Sequence, residues 1–205
     1  MKWYTTIYVC LMIACVSDRP PVLQKREAPV IPAISVRAND PAIKLVNGYW
    51  YYDDSVFSGQ VHAFHENGSM QRTQSYFAGK EEGWVITWFT GGQKESERYF
   101  EEGEKEGVHR GWWENGQQRF EYHFVKGQYD ADFREWSVNG AIAKHIEYKD
   151  GKELRGKAWR ENGKVYMNFE IKGSRRYGLM NAKPCYTLRT EKGEYIELTE
   201  NKSPL

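Results

Sequence analysis

Cysteine is scarce in this chain: Cys10, Cys15 and Cys185 are the only three in 205 residues. That excludes a disulfide-dense scaffold and any CxxC metal or redox pair. Net charge is nearly absent as well. The 29 Lys and Arg offset 28 Asp and Glu, so no global field draws nucleic acid or an anionic membrane surface. The apolar run from Trp3 to Ala14 is too short to span a bilayer as a helix. There is no Gly-x-Ser-x-Gly elbow and no phosphate-binding glycine loop. These absences leave no catalytic residue, cofactor site or metal site to assign, and the chain reads as a non-enzyme. Its length suits one domain with a sizeable core.

What is present is repetition. An aromatic followed four residues later by a turn glycine recurs five times: Phe64 to Gly68, Trp88 to Gly92, Trp112 to Gly116, Trp136 to Gly140 and Trp159 to Gly163. Those glycines stand 24, 24, 24 and 23 residues apart, which marks a repeat architecture. Each period holds a second glycine turn, at Gly79, Gly103, Gly127, Gly151 and Gly173, and short segments rich in aromatic and β-branched residues join the turns. Asn-Gly tolerates positive φ at both central turn positions and is the strongest short hairpin signal. Each unit therefore reads as two strands and two turns, giving an all-β array of stacked antiparallel hairpins in an elongated, curved sheet. Two aromatic columns recur in register: Phe64, Trp88, Trp112, Trp136 and Trp159, and Tyr52, Tyr76, Phe100, Phe124 and Tyr148. Stacked hairpins place such rings in contact, so both columns are expected to form the spine of the core.

Units such as Gly107-Val108-His109-Arg110-Gly111-Trp112-Trp113-Glu114-Asn115-Gly116, together with the turn Gly79-Lys80-Glu81-Glu82-Gly83, resemble the MORN repeat. They are closest to the bacterial variant in YwqK-type, antitoxin-like proteins. The resemblance spans about Tyr49 to Gly178 and five units. It implies a binding or scaffolding role without a shared active site. Two departures stand out: Ala131 replaces the glycine found at Gly83 and Gly107, and one residue is missing between Gly151 and Trp159.

The N-terminus reads as an export signal: Lys2, the apolar run, then a small residue, Ala14. Leu11-Met12-Ile13-Ala14-Cys15 resembles a bacterial lipoprotein box, although Met12 stands where that box usually has Leu. The resemblance implies that Cys15 is acylated and becomes the mature N-terminus. The alternative is an ordinary signal peptide with an incidental Cys15, which leaves a Cys15–Cys185 disulfide open. Five of the seven prolines (Pro20, Pro21, Pro29, Pro32 and Pro41) fall in the following stretch, which reads as an extended, semi-rigid tether. The organisation is thus signal peptide 1–14, Pro-rich lipid-anchored tether 15–45, repeat array 46–178, and a capping hairpin with tail 179–205. The expected location is a bacterial cell envelope, at the outer membrane if the cell is Gram-negative.

Histidines offer the first candidate chemistry. His62 and His65 are three apart on a predicted strand and face opposite sides, so they do not form a metal site. His109, His123 and His145 have no repeated His in their columns and are expected to be solvated or half-buried. Asp53-Asp54 reads as a solvated turn. Glu81, Glu82, Glu101, Glu102, Glu104, Lys105 and Glu106 are read as a soluble edge that shields exposed backbone, the other reading being a recognition surface. Asn67-Gly68-Ser69 matches a glycosylation sequon that matters only in a eukaryotic secretory pathway. The rings outside the two columns, Trp50, Tyr51, Trp84, Trp113 and Tyr129, are the better candidates, because a single-layer sheet buries only one face fully unless it curls. Trp84, Trp113 and Tyr129 are the expected contacts with a protein or glycan; the other reading buries them as a second core. The functional expectation is a membrane-tethered binding scaffold with an unknown protein partner and no nucleic acid. The alternative is an antitoxin or immunity-like protein acting at the envelope.

Overall fold

A computed structural model describes residues 26–179 and two further short strands, Thr187–Arg189 and Tyr195–Glu197. The signal segment, Cys15, the first part of the tether and Cys185 lie outside the described residues. No helix occurs among the residues described.

Segments of alternating burial between the glycine turns all become strands. The chain opens with β1 (Ser35–Arg37) and a small meander of β2 (Ile43–Val46), β3 (Tyr49–Tyr52) and β4 (Ser55–Val56). The first half of the array is β5 (Gly59–Phe64), β6 (Met70–Phe77), β7 (Lys80–Trp88), β8 (Lys94–Glu101), β9 (Glu104–Trp112) and β10 (Gln118–Val125). The second half is β11 (Gln128–Trp136), β12 (Ile142–Lys149), β13 (Lys152–Trp159), β14 (Val165–Lys172) and β15 (Arg175–Leu179). β16 (Thr187–Arg189) pairs antiparallel with β17 (Tyr195–Glu197). A 12-stranded sheet holds β1 and then β5 to β15 in chain order, each hairpin antiparallel to the next, with β1 added parallel to β5. The fold is therefore the all-β stack of hairpins that the 24-residue period implies.

The two turn types differ from expectation. At the Asn-Gly turns only the glycine has positive φ, for example Gly68 at 82° and Gly116 at 83°. The amide of Gly116 donates to the Trp113 carbonyl at 2.8 Å, and the amide of Trp113 to the Gln117 carbonyl at 2.7 Å. The asparagine instead uses its side chain: Asn67, Asn115, Asn139 and Asn162 each accept the amide two residues on at 3.0 Å. Positive φ at two successive residues occurs at the other end of the hairpins, in Ala78-Gly79, Glu102-Gly103, Lys126-Gly127 and Asp150-Gly151. These are the two-residue primed turns, whose twist suits the strands they join.

Those primed turns also fasten one unit to the next. The amides of Gly79, Gly103, Gly127 and Gly151 donate to the carbonyls of Phe57, Glu81, Lys105 and Tyr129 at 2.7 to 2.9 Å. The residue before each glycine donates its amide to a side chain of the preceding unit: Ala78 to Ser58, Glu102 to Glu82, Lys126 to Glu106 and Asp150 to Asp130. Glu82 and Glu106, expected on a soluble edge, are thus turn acceptors, and Glu82 is only 3% exposed. A neighbour's turn must have its amides satisfied where water is excluded, and a long acid reaches across the stack to do it.

Burial separates the two faces of the sheet. Val61, Val85, His109 and Phe133, spaced by 24 residues, are all buried, and Tyr76, Phe120, Phe124, Ile146 and Phe169 join them on this ring face. Room for two of the rings comes from facing glycines. A Cβ on Gly111 would meet Phe120 at 2.1 Å, and one on Gly156 would meet Phe169 at 2.6 Å. The second aromatic column supplies core, with Tyr76 and Phe124 buried and Tyr52 and Tyr148 packed against the clusters. The first column does not. Phe64 is 43% exposed, and Trp88, Trp112, Trp136 and Trp159 are half-buried. These rings close their strands beside register shifts at the αL glycine turns, outside the regular ladder. Cations cover three of them: Arg37 over Phe64, Lys94 over Trp112 and Lys157 over Trp159, at 5.3 to 5.6 Å. At the first end of the sheet Ile43, Trp50 and Tyr52 pack over Val36, Phe57, Val61 and Tyr76, so the small meander covers the ring face there.

Candidate functional site

Farther along the array the ring face opens into a groove of about 770 Å³. β10 builds its floor by alternation: Phe120, Tyr122 and Phe124 are two residues apart and point the same way. Tyr122 is stacked between Phe120 (centroids 4.6 Å, planes 13°) and Phe133 (4.2 Å, 18°). Tyr129 stands edge-on to Tyr122 and Phe133 and lies 4.6 Å from Phe124 and 5.0 Å from Tyr148. Trp113, Trp136, Ser137 and Val138 form one rim at the Asn-Gly turns.

The polar groups of the groove have distinct states. The Tyr122 hydroxyl donates to Glu135 at 2.7 Å, and burial together with that carboxylate pushes the phenol far above its ordinary pKa. Burial raises Tyr129 and Tyr148 also. The phenols are donors, not nucleophiles, at neutral pH. His109 is 2% exposed rather than solvated or half-buried as expected, because it occupies the buried 24-residue column of Val61, Val85 and Phe133. Its Nε2–H donates to the Tyr99 carbonyl at 2.9 Å. Burial pushes its pKa below 6.5, and Arg98 and Lys105 act in the same direction.

Cations border the floor. Arg98 lies 5.8 Å from the Phe120 ring centroid, Lys105 5.1 Å from that of Phe124 and Lys144 4.9 Å from that of Phe133. Among the described residues these three make no salt bridge. Arg119, over both Trp113 and Phe120, has Glu95 at 3.9 Å.

The opposite face is chemically quiet. Cross-strand register aligns Glu97, Arg110, Glu121, Arg134 and His145 on five successive strands. Arg110 bridges Glu97 at 3.8 Å and Glu121 at 2.9 Å, Arg134 reaches Glu121 and Asp132, and His145 pairs with Asp132 at 2.7 Å. Arg110 and His123 hold the Glu121 carboxyl below its usual range against the opposing effect of burial. A depression of about 620 Å³ beside the last strands is lined in part by paired charges, such as Glu147 and Arg155 at 2.7 Å, and by Lys157, which lies over Trp159. Opposite charges facing across strands form a solvated ladder that stabilises the sheet modestly.

The structure brings two of the three sequence candidates together. Trp113 and Tyr129 line the same groove, and the Trp113 Nε1–H donates to the Trp136 carbonyl at 3.0 Å. Tyr129 is at the same time a member of the ring cluster. Trp84, 48% exposed, lies on the charged face, edge-on to Tyr99 at 5.2 Å. Sequence reasoning missed Tyr122, Glu135 and Arg98, and placed Lys105 on a soluble edge. Tyr122 falls between two aromatics at alternate positions of one strand, which is a readable signal; the cations give none, because every unit carries charges at some strand positions. Among the described residues no group of three or more His, Cys, Asp or Glu is placed to hold a metal ion. No protein-family model matches this chain, and no curated protein matches it either.

Proposed function

We propose that the chain is a non-enzymatic binding protein of a bacterial envelope, whose MORN-like array presents the ring-face groove to a protein partner. The observation that carries this reading is the asymmetry of the sheet. One face pairs most of its charges with each other, while the other leaves aromatic edges and two cations, Arg98 and Lys105, that make no salt bridge among the described residues, around an open groove. Aromatic rings with a polar tip, adjoining arginine, are the chemistry that protein interfaces favour. Trp113 and Tyr129 are the proposed contacts.

Co-purification from the native cells tests it, with wild type compared to Trp113→Ala and Trp84→Ala. A stoichiometric partner retained by Trp84→Ala and lost by Trp113→Ala supports the groove. A partner lost only by Trp84→Ala, or none at all, overturns it. The anchor proposed at Cys15 is tested by fatty-acid labelling: label is lost in Cys15→Ala, and retained label removes the lipoprotein reading.

A further inference from the structure

Resting on the reading of the groove as a protein site, we infer that its occupant is an extended acidic peptide segment carrying carboxylates at positions i and i+4 and an apolar side chain at i+2. The argument begins with spacing. Phe120 and Phe124 are four residues apart on β10, so their Cα atoms lie about 13 Å apart along the strand at a rise of about 3.3 Å per residue. Arg98 sits over the first ring and Lys105 over the second. The two cations therefore mark the ends of a four-residue step in a strand running alongside β10. In an extended peptide, side chains at i, i+2 and i+4 share one face and repeat that step.

The middle position is apolar. Tyr122 lies between the two cation-capped rings, its ring face stacked on Phe120 and its hydroxyl already engaged by Glu135. A side chain at i+2 meets ring edges there, with Tyr129 standing edge-on beside it. Charge decides the ends. Arg98 and Lys105 are both exposed and make no salt bridge among the described residues, and their field contributes to the depressed pKa of His109. A carboxylate at each end forms a charge-assisted hydrogen bond without disturbing the floor.

Glu135 and Glu161 argue against a polyanion such as single-stranded nucleic acid. Both line the groove, and a chain with a phosphate at every nucleotide would set charge against them. A segment with two carboxylates sets only one of them beside Glu135, which faces Phe120 across the strands and is already engaged by the Tyr122 hydroxyl.

The test uses the full chain in detergent and fluorescence anisotropy of the labelled peptide Glu-Ser-Phe-Ser-Glu. The comparison probes are Gln-Ser-Phe-Ser-Gln, Glu-Ser-Gly-Ser-Glu and an oligothymidylate. Saturable binding of the first peptide is expected, weakened about tenfold by either peptide change and by Arg98→Gln with Lys105→Gln, a loss of about 1.4 kcal/mol. Arg155→Gln, on the charged face, leaves it unchanged. Equal affinity for the Gln peptide overturns the inference, as does tighter binding of the oligothymidylate or no saturable binding of the acidic peptide. Failure of the peptide with a Trp113-dependent partner still recovered removes the acidic occupant alone. Failure of both removes the groove as a site.

Discussion

Glu82→Ala probes how one repeat holds the next. Its carboxylate is buried, accepts the amide of Glu102 in the following unit's turn at 3.0 Å, and meets Arg26 at 3.1 Å. Arg26 is solvent-facing, and water screens its pair with Glu82. Truncation leaves the turn amide without its acceptor in a site closed to water, which costs about 1–3 kcal/mol. Glu106→Ala removes the equivalent bond to Lys126, 2.7 Å long but exposed, and costs about 1 kcal/mol because water replaces the acceptor. With a urea m-value of about 2 kcal/mol/M, the Glu82 variant shifts the midpoint by roughly 0.5–1.5 M. The seven tryptophans from Trp50 to Trp159 report the transition by fluorescence. The two sites lie at successive unit interfaces, so the double variant shows the sum of the two losses. Glu82→Gln keeps an acceptor oxygen and recovers most of the loss. A midpoint shift for Glu82→Ala below about 0.2 M, under 0.4 kcal/mol at that slope, refutes the stapling argument. A Gln variant as weak as Ala would transfer the effect to the charge pair with Arg26.

Two further predictions follow from the backbone and the core. Ala131 holds φ of 60° where Gly83 and Gly107 stand in the preceding units. Ala131→Gly relieves that left-handed strain of about 1–2 kcal/mol against a smaller entropic penalty, so urea unfolding should show a net gain of about 0.5–1 kcal/mol; a net loss contradicts it. His109 is buried with a depressed pKa, so the unfolded chain takes up its proton first as pH falls. Its contribution is present above 6.5 and is lost as pH falls from there through the folded value. Stability measured across that window should fall with acid in the wild type and fall less in His109→Phe; parallel curves contradict the assignment.

The architecture was legible because repetition is a property of the chain itself: glycines 24 residues apart fix where hairpins turn, whatever packs between them. Turn chemistry was legible only in part. Asn115 and Gly116 were recognised as a turn, but the asparagine works through its side chain, and the primed geometry falls to pairs such as Lys126-Gly127, whose first residue carries no compositional signal. The tryptophan column misled because identical residues stood out. Trp112 stands in a column of near-identical rings yet closes its strand beside a bulge, whereas the buried column runs through Val61, Val85, His109 and Phe133, whose last two members depart from valine and hide the repeat. Trp113 and Tyr129, which share the groove, were singled out because they break the rhythm; the places of Arg98 and Lys105 were not legible, because only the folded chain shows which rings they cover.

Site-specific photocrosslinking addresses the central claim, that the ring face binds a partner while the charged face does not. A benzophenone side chain at Val138, which lines the groove rim and is 58% exposed, is compared in living cells with the same group at Lys157 on the charged face. A discrete adduct from Val138 that disappears with Trp113→Ala, and none from Lys157, is expected. An adduct from Lys157 alone, or a Val138 adduct indifferent to Trp113, contradicts it.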